Sequence, residues 1–341
     1  MRAAVTRRAG LAMAAAALAR PARAAEPVRI GLLHTLSPAP LYIAMERGYF
    51  RDEGVDASFR FFEAAQPIAA AAVSGDVDVG ITALTGGFFS LAGRGTLKVI
   101  GGGLQEQPGY KGTALLASRK AYEAGLTGPG QLGGRSFGLT QFGSSFHYMM
   151  GRIAEREKFD LKTVQLRALQ TVGNMVAAVR TGQVDATMAI AAQANPLEQS
   201  QEARIIAWVS DLVSYQLTAL FASSKMLADR TDAVARTARA YARGVADYRD
   251  AFLRLDSAGQ PVRDAKTDAV MPLLQKYVFV GDPEGPRKIS ENVGYYNEGG
   301  KLDAADVAAQ LRWFGEQGMV KGAGEASELM DLRFLGALPP R

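Results

Sequence analysis

The chain has 341 residues, a formal net charge of +5 and no cysteine. Its length exceeds one average domain and suits two, and the lack of cysteine excludes disulfides, a thiol nucleophile and thiolate metal sites. Five of the 39 Lys and Arg residues fall in the first 24 positions, so the rest of the chain is formally neutral and has no nucleic-acid footprint.

The first 24 residues have the pattern of a secretory signal. Arg7 and Arg8 precede an apolar run at 11–18, and residues 22–24 fit a small-x-small cleavage site. The run is far shorter than the ~20 apolar residues that span a bilayer. We therefore expect residues 1–24 to be a cleaved signal peptide, similar to a twin-arginine signal, and the mature protein to be soluble in the periplasm. A cytoplasmic protein with an Ala-rich tail is the alternative.

Strand and helix patterns then alternate along the chain, which favours an α/β fold with mostly parallel sheets. Ser37 and Pro38 predict a helix start that runs to Gly48, with the hydroxyl as cap and proline at the first helical position. Thr85 opens another helix. The first group of predicted strands covers residues 28–33, 57–62, 77–83 and 98–100.

The second half of the pattern suggests that the chain crosses between two lobes twice. A strand at 114–117 would leave the first lobe and one at 217–222 would return to it. Between them we predict strands at 136–140, 164–169 and 205–209, and a helix at 142–158. The remainder is predicted to be helical, at 230–255, 262–277 and 303–317. Lobe 1 would then comprise residues 25–113 and 221–341, and lobe 2 residues 114–220.

An internal repeat supports two similar lobes. Residues 69–81 recur as residues 176–188, 107 positions later, with Gly75/Gly182 and Asp78/Asp185 among the identical pairs. Each copy is typical of an Ala-rich helix, a glycine in the left-handed cap and a short strand. Two matched lobes would enclose a cleft, where small ligands usually bind. The alternative is a chance match between two common helix-to-strand junctions.

Candidate site residues lie where predicted strands give way to helices, because ligands of open α/β sheets bind beyond the carboxyl ends of strands. Four such segments are 35–40, 85–87, 140–146 and 191–195, and none contains Lys or Arg. The helices after Ser37, Thr85 and Ser144 would aim free N–H groups at the cleft, each favouring a negative group by ~0.3–1 kcal/mol. Helix capping is the alternative role for Ser37 and Thr85.

The sequence offers little for catalysis. Its only histidines are His34 and His147, and we expect His147 to be a packed residue inside a helix. Residues 101–103 are glycines without the Lys-Ser/Thr of a phosphate loop. Asp78 and Asp185 precede strands, so they would lie at the wrong end of the sheet for a cleft. We predict no catalytic residue, no metal and no cofactor.

Taken together, residues 38–50, 74–80, 134–145 and 302–320 resemble periplasmic solute-binding proteins of the nitrate/sulfonate/taurine and thiamine-pyrimidine group (SsuA/THI5-like, NMT1). The resemblance runs from about residue 28 to 321. It implies a two-lobed type II binding-protein fold with two crossover strands and a cleft that closes on ligand. It also implies a monomer that delivers a small-molecule ligand to an ABC permease with its cytoplasmic ATPase.

The resemblance also implies ligand contacts from the loops around Ser37, Thr85, Ser144–Ser145 and Gln193 and from the second crossover. The full set of predicted ligand-binding residues is Ser37, Thr85, Gln107, Ser144, Ser145, Phe146, Gln193, Tyr215 and Gln216. The absence of a basic residue departs from a nitrate or simple sulfonate binder. We expect a small organic solute with one anionic end, sulfonate- or carboxylate-like, and an apolar or aromatic body.

Two alternatives stay open. One is a small-molecule enzyme of the same fold, similar to a pyrimidine synthase, although that relative needs cysteines that this chain lacks. A perturbed acid in the cleft or turnover of a ligand would favour it. The other is a ligand-sensing partner of a membrane receptor.

Overall fold

The structure is a computed structural model that describes residues 25–322 and 324–339. The predicted signal peptide at 1–24 lies outside the described residues. The strands are β1 Glu26–Leu33, β2 Val55–Phe62, β3 Val79–Ala83, β4 Leu97–Gly102, β5 Leu104–Glu106, β6 Thr113–Ser118, β7 Ser136–Leu139, β8 Gln165–Ala168, β9 Ala186–Ile190, β10 Ala203–Trp208, β11 Tyr215–Gln216, β12 Thr218–Ser223 and β13 Tyr295–Tyr296.

Helices occupy most of the connections and the last third of the chain. They are α1 Ala39–Glu46, α2 Tyr49–Asp52, α3 Ala65–Ser74, α4 Gly86–Ala92, α5 Arg119–Glu123, α6 Ser145–Glu157, α7 Val172–Arg180, α8 Ala191–Gln199, α9 Val209–Leu212, α10 Ser224–Asp229, α11 Thr231–Phe252, α12 Ala265–Gln275, α13 Gly285–Glu291 and α14 Ala304–Glu316. Among the described residues, no helix is both long and apolar enough to cross a membrane.

The two large sheets have the same strand order. The first runs β2-β1-β3-β12-β4 and the second β8-β7-β9-β6-β10. In each, the first three strands are parallel, and the fourth (β12 or β6) is antiparallel and arrives from the other lobe. This exchange of one strand between two lobes confirms the predicted two-lobed type II fold with two crossovers.

A small third sheet joins the lobes. β5 pairs antiparallel with β11, and β13 pairs with the other side of β5. We call this sheet the hinge sheet. The buried Gln216 amide braces it, because its nitrogen donates to the carbonyl oxygens of Gly103 at 3.1 Å and Thr218 at 2.9 Å. Its oxygen accepts from Gln105 at 3.1 Å.

Some predicted boundaries were wrong. β13 interrupts the region predicted to be wholly helical, since a two-residue strand that pairs only with β5 leaves no periodic signal. Helix α1 begins at Ala39 rather than after Ser37. Pro38 is the N-cap residue, Ala39 takes the first helical position predicted for Pro38, and Pro40 takes the second. The lobe limits remain a prediction, but a boundary at 220/221 would cut β12, which pairs with β3 and β4 from Thr218 onward.

The repeat occupies matched positions in the two lobes. Gly75 ends α3 with a φ of +82°, and Gly182 follows α7 with a φ of +72°. Both values lie in the left-handed region that glycine tolerates. Asp78 accepts a hydrogen bond from the Arg29 N–H and Asp185 from the Ser136 N–H, both at 2.8 Å and both across 49 positions. These carboxylates fasten the amino ends of strands.

Helix α14 packs against both lobes. Trp313 lies edge-on to Tyr148 of α6, with ring centroids 5.3 Å apart, and Phe314 lies 5.7 Å from Phe89 of α4. Gly151 makes room for the indole, because a Cβ there would lie 2.1 Å from a Trp313 ring carbon. The C-terminal helix therefore contacts the two helices whose first turns meet at the cleft.

Candidate ligand-binding site

A cavity of about 190 Å³ lies between the lobes. Its wall is built by the segments that follow β1, β2 and β3 in one lobe and β7, β8 and β9 in the other, at the carboxyl ends where the fold predicts a ligand. For scale, an apolar cavity of roughly 150 Å³ holds a benzene-sized molecule. The lining includes Leu33, Ser37, Glu63, Thr85, Glu106, Gly112, Thr113, Gln141, Ser144, Ser145, Phe146, Met149 and Asn292.

Five of the predicted ligand-binding residues line this cavity: Ser37, Thr85, Ser144, Ser145 and Phe146. Their contact with a ligand stays a prediction, as it does for the whole set. Ser37 and Thr85 come from one lobe, and the other three residues lie at the start of α6 in the other lobe.

The structure does not bring the other predicted residues to the cavity wall. The Gln216 amide is occupied in the hinge sheet. Tyr215 is buried against Tyr148, with ring centroids 5.2 Å apart. Gln107 accepts a hydrogen bond from the Ser214 hydroxyl at 3.2 Å. Gln193 lies in the first turn of α8, because that helix begins directly after β9 and leaves no loop there.

The two hydroxyls at helix starts differ in what they have left to offer a ligand. The Thr85 hydroxyl accepts from the Phe88 N–H at 3.0 Å and caps α4. Ser144 precedes α6, makes no side-chain cap, and its buried hydroxyl has no partner in the described part of the chain. A buried polar group without a partner is destabilising by about 1–3 kcal/mol, so Ser144 is the hydroxyl that a ligand would satisfy.

Glu106 is the candidate that the sequence reasoning missed. It ends β5, is 1% exposed and lines the cavity. One carboxylate oxygen, Oε1, accepts from the Thr113 hydroxyl at 2.5 Å. The other, Oε2, is buried without a partner among the described residues. Burial raises the pKa of Glu106 to about 7, against the lowering effect of hydrogen bonds from Thr113.

The rest of the lining gives this acid no counter-charge. Within the described lining there is no Lys, Arg or His, and the second acid, Glu63, is exposed. Leu33, Phe146 and Met149 supply apolar surface. The cavity is thus a mostly apolar chamber with one buried carboxyl at the hinge and one free hydroxyl at the start of α6.

Hydrogen bonds close the cleft over this chamber. The Gly86 N–H of α4 donates to the Gly143 carbonyl oxygen at 2.9 Å. At the mouth, the Gln141 amide donates to the side-chain oxygen of Gln66 in α3. On the far side, the Ala192 N–H donates to Asn292 at 2.9 Å. The two sides of the cleft are therefore in direct hydrogen-bonded contact in this structure.

His147 is packed, as expected, and lies outside the cavity wall. Its Nδ1 accepts from the Gly143 N–H at 3.2 Å, and its ring meets Trp313 edge-on at 5.4 Å. Burial lowers its pKa to about 4, so the ring is neutral near pH 7. The described residues also contain no cluster of three or more side chains suited to hold a metal ion.

Comparison with known proteins places this geometry in context. The NMT1/THI5-like family model matches residues 36–251. The chain is similar to SsuA of Escherichia coli, a periplasmic aliphatic sulphonate binding protein, with a TM-score of 0.68 and 17% identity, covering 89% of this chain and 97% of that one. No curated protein matches it.

Two further solved structures have the same fold. The alkanesulfonate-binding protein SsuA from Xanthomonas axonopodis pv. citri, bound to MOPS, has a TM-score of 0.66 at 17% identity, covering 90% of this chain and 98% of that one. The desulfurization enzyme DSZB has a TM-score of 0.61 at 14% identity, covering 91% and 97%. At these identities the likeness establishes the fold, which serves both binding proteins and an enzyme.

Proposed function

Because the chain belongs to the NMT1/THI5-like family, we propose that it is the periplasmic solute-binding component of an ABC importer. It captures a small organic solute by closing its two lobes and delivers that solute, chemically unchanged, to an inner-membrane permease with a cytoplasmic ATPase. Export by the predicted signal at residues 1–24 belongs to the same proposal.

The observation that carries the proposal is a cavity walled by both lobes and crossed at one side by the hinge sheet. A ligand in it would contact Ser37 and Thr85 in one lobe and Ser144 in the other. Such a ligand stabilises the closed form over an open one, which is how domain closure is driven. A single chain supplies every wall, so the proposal needs only a monomer.

We further propose that one end of the ligand is anionic. The Ser144 hydroxyl and the first N–H groups of α6 are the groups suited to an anionic end. The sulphonate binders of the same fold support a solute of that kind, with its apolar body against Phe146 and Met149.

An enzyme on this fold is the second candidate, since Glu106 is a perturbed acid in the cleft and DSZB shares the fold. Against it, the chain contains no cysteine. The described cavity lining also contains no histidine to act as base. A ligand-sensing partner of a membrane receptor would bind its solute in the same way, and differs only in the protein that it meets.

A ligand screen on the mature chain tests the proposal. Sulfonates, carboxylates, amines, pyrimidines and nitrate would be screened by thermal shift, and each hit recovered and identified by mass spectrometry. A ligand at ~100-fold over its Kd adds ~2.7 kcal/mol of stability, so a true hit is readily seen. Recovery of an unaltered hit supports a binding protein, whereas steady conversion to a product contradicts it.

A further inference from the structure

Glu106, a cavity-lining residue of the hinge sheet, has a hydrogen-bond acceptor without a partner in the described chain. Glu106 Oε1 receives the Thr113 hydroxyl at 2.5 Å, but Oε2 is buried and has no hydrogen-bond partner within the described chain. Buried polar atoms are nearly always hydrogen-bonded in folded proteins. Because the residue lines the cavity, the missing donor can come from a molecule that occupies it.

Gly112 packs against the Glu106 carboxyl group. A Cβ at this position would lie 2.8 Å from Oε2 and 3.0 Å from Oε1, closer than ordinary contacts allow. Its φ lies outside the left-handed region, so the backbone itself does not require glycine there. Gly112 also lines the cavity, and any side chain at this position would crowd the carboxylate.

The charges of the cavity wall also favour a ligand that carries a hydrogen-bond donor. The described lining contains two carboxyl groups, Glu106 and Glu63, and no cationic side chain. Above pH 7, where the Glu106 carboxyl is ionised, a ligand whose polar atoms are all acceptors would leave Oε2 unsatisfied and would bring negative charge toward a buried carboxylate. A ligand that donates an N–H hydrogen bond to Oε2 removes both penalties.

We propose that the solute carries an N–H donor, as an ammonium, amidine or amino-heterocycle, and hydrogen-bonds Glu106 Oε2 while its apolar body lies against Phe146 and Met149. This rests on the proposed function and narrows its ligand class. An anionic group in the same molecule would lie at the α6 end, near Ser144. The donor is the required feature, so plain alkanesulfonates and carboxylates are excluded.

The location of Glu106 adds a consequence. It ends β5, and its neighbour across the hinge sheet is Tyr215 of β11. A ligand hydrogen-bonded to Oε2 would therefore contact the sheet that joins the lobes, as well as both lobes. Donor recognition and closure would then be coupled at one residue.

Size-matched probes test the proposal by thermal shift and calorimetry at pH 8, where the Glu106 carboxyl is ionised. Benzylamine and benzamidine carry the donor, and benzoate and benzenesulfonate are their acceptor-only counterparts. We expect the first pair to raise the Tm of the mature chain and the second pair to leave it unchanged. Glu106→Gln should weaken the first pair at least tenfold.

Two more variants distinguish the loss of the hydrogen bond to Oε2 from the loss of a negative charge. Gly112→Ala keeps the carboxyl but covers Oε2, so it should weaken the same probes at least tenfold. Glu123→Gln makes the same change on the exposed surface of α5 and should alter affinity less than twofold. Circular dichroism and the Tm of each variant show that the fold is intact.

The outcomes distinguish this inference from the proposed function. Binding of benzoate or benzenesulfonate without the amines, or amine binding that survives Glu106→Gln, overturns the inference and leaves a solute-binding protein. Failure of both amines to bind overturns it as well. Turnover of a bound probe contradicts the proposed function itself.

Discussion

The Gly86 N–H donates to the Gly143 carbonyl oxygen at 2.9 Å, and so ties the first turn of α4 to the loop before α6. A Cβ added to Gly86 would lie 3.8 Å from the Gly143 Cα, and 3.5 Å from side-chain atoms of Met319 and Phe314, so the two backbones meet beside α14. One glycine belongs to each lobe. Separation of the lobes would break this bond, so the bond marks direct contact between them.

Removing the hydroxyls at the start of α6 should weaken ligand binding and spare the fold. The Ser144 side chain is buried without a described partner and does not cap its helix, so Ser144→Ala with Ser145→Ala removes no bond that the folded chain needs. A lost hydrogen bond of about 1 kcal/mol predicts an affinity loss of roughly fivefold to tenfold by calorimetry. Ser257→Ala, in an exposed loop, is the matched control. Equal affinity in the double variant would remove these residues from the site.

Glu106 should make stability fall as pH rises. Its pKa is raised from 4.5 to about 7 in the folded chain, so between these values the folded state holds a proton that the unfolded state has lost. The free energy of unfolding therefore decreases across this window and stays reduced above it. Glu106→Gln removes the effect and should gain about 1–3 kcal/mol relative to wild type between pH 4.5 and 8. Urea unfolding measures this difference, and a constant value across the range would refute the assignment.

His147 should act with the opposite sign. Burial lowers its folded pKa from 6.5 to about 4, so as pH falls through this window the unfolded chain takes up a proton that the folded chain refuses. Its contribution to stability is present above pH 6.5 and lost on acidification. His147→Asn keeps an acceptor for the Gly143 N–H and should lose less stability than wild type on acidification, by about 1–3 kcal/mol. If both proteins respond equally to acid in urea unfolding, the ring is not buried neutral.

The paired aspartates of the repeat should matter for folding and not for binding. Asp185→Ala leaves the Ser136 N–H and hydroxyl without their acceptor, at a cost of about 1–3 kcal/mol. Asp78→Ala should cost more, because Asp78 also pairs with Arg29 and Arg230. Asp76→Ala, on the exposed surface, should change stability by less than about 0.5 kcal/mol. Ligand affinity measured beside stability should stay within twofold in all three variants. A selective loss of binding would place the aspartates near the site.

The sequence allowed the lobes to be predicted because their signals are local. The helix, glycine and strand of each repeat copy form a contiguous unit, so Gly75 and Gly182 could be assigned left-handed caps before the structure. The site was predicted where it follows from strand direction alone, as at Thr85 and Ser144.

What escaped prediction depends on contacts between distant segments. Glu106 lines the cavity beside Gly112 and Thr113, which the chain reaches only after it turns back toward the Glu106 carboxyl, and no periodicity reveals this turn. Gln107 was chosen one residue away, but it lies just past the end of β5, where its side chain accepts a hydrogen bond from Ser214. Gln216 was rightly placed on the crossover, yet its amide is consumed by the hinge sheet.

A distance measurement between the lobes tests the central claim most directly. Ala70 on α3 and Ala177 on α7 are exposed, equivalent positions of the repeat. Because the chain has no cysteine, Ala70→Cys with Ala177→Cys takes spin labels at these two sites alone. Pulsed electron–electron double resonance should give a longer, broader distance distribution without ligand. With a bound hit from the screen, it should give a single shorter distance. An identical distribution in both states would contradict closure of two lobes around a solute.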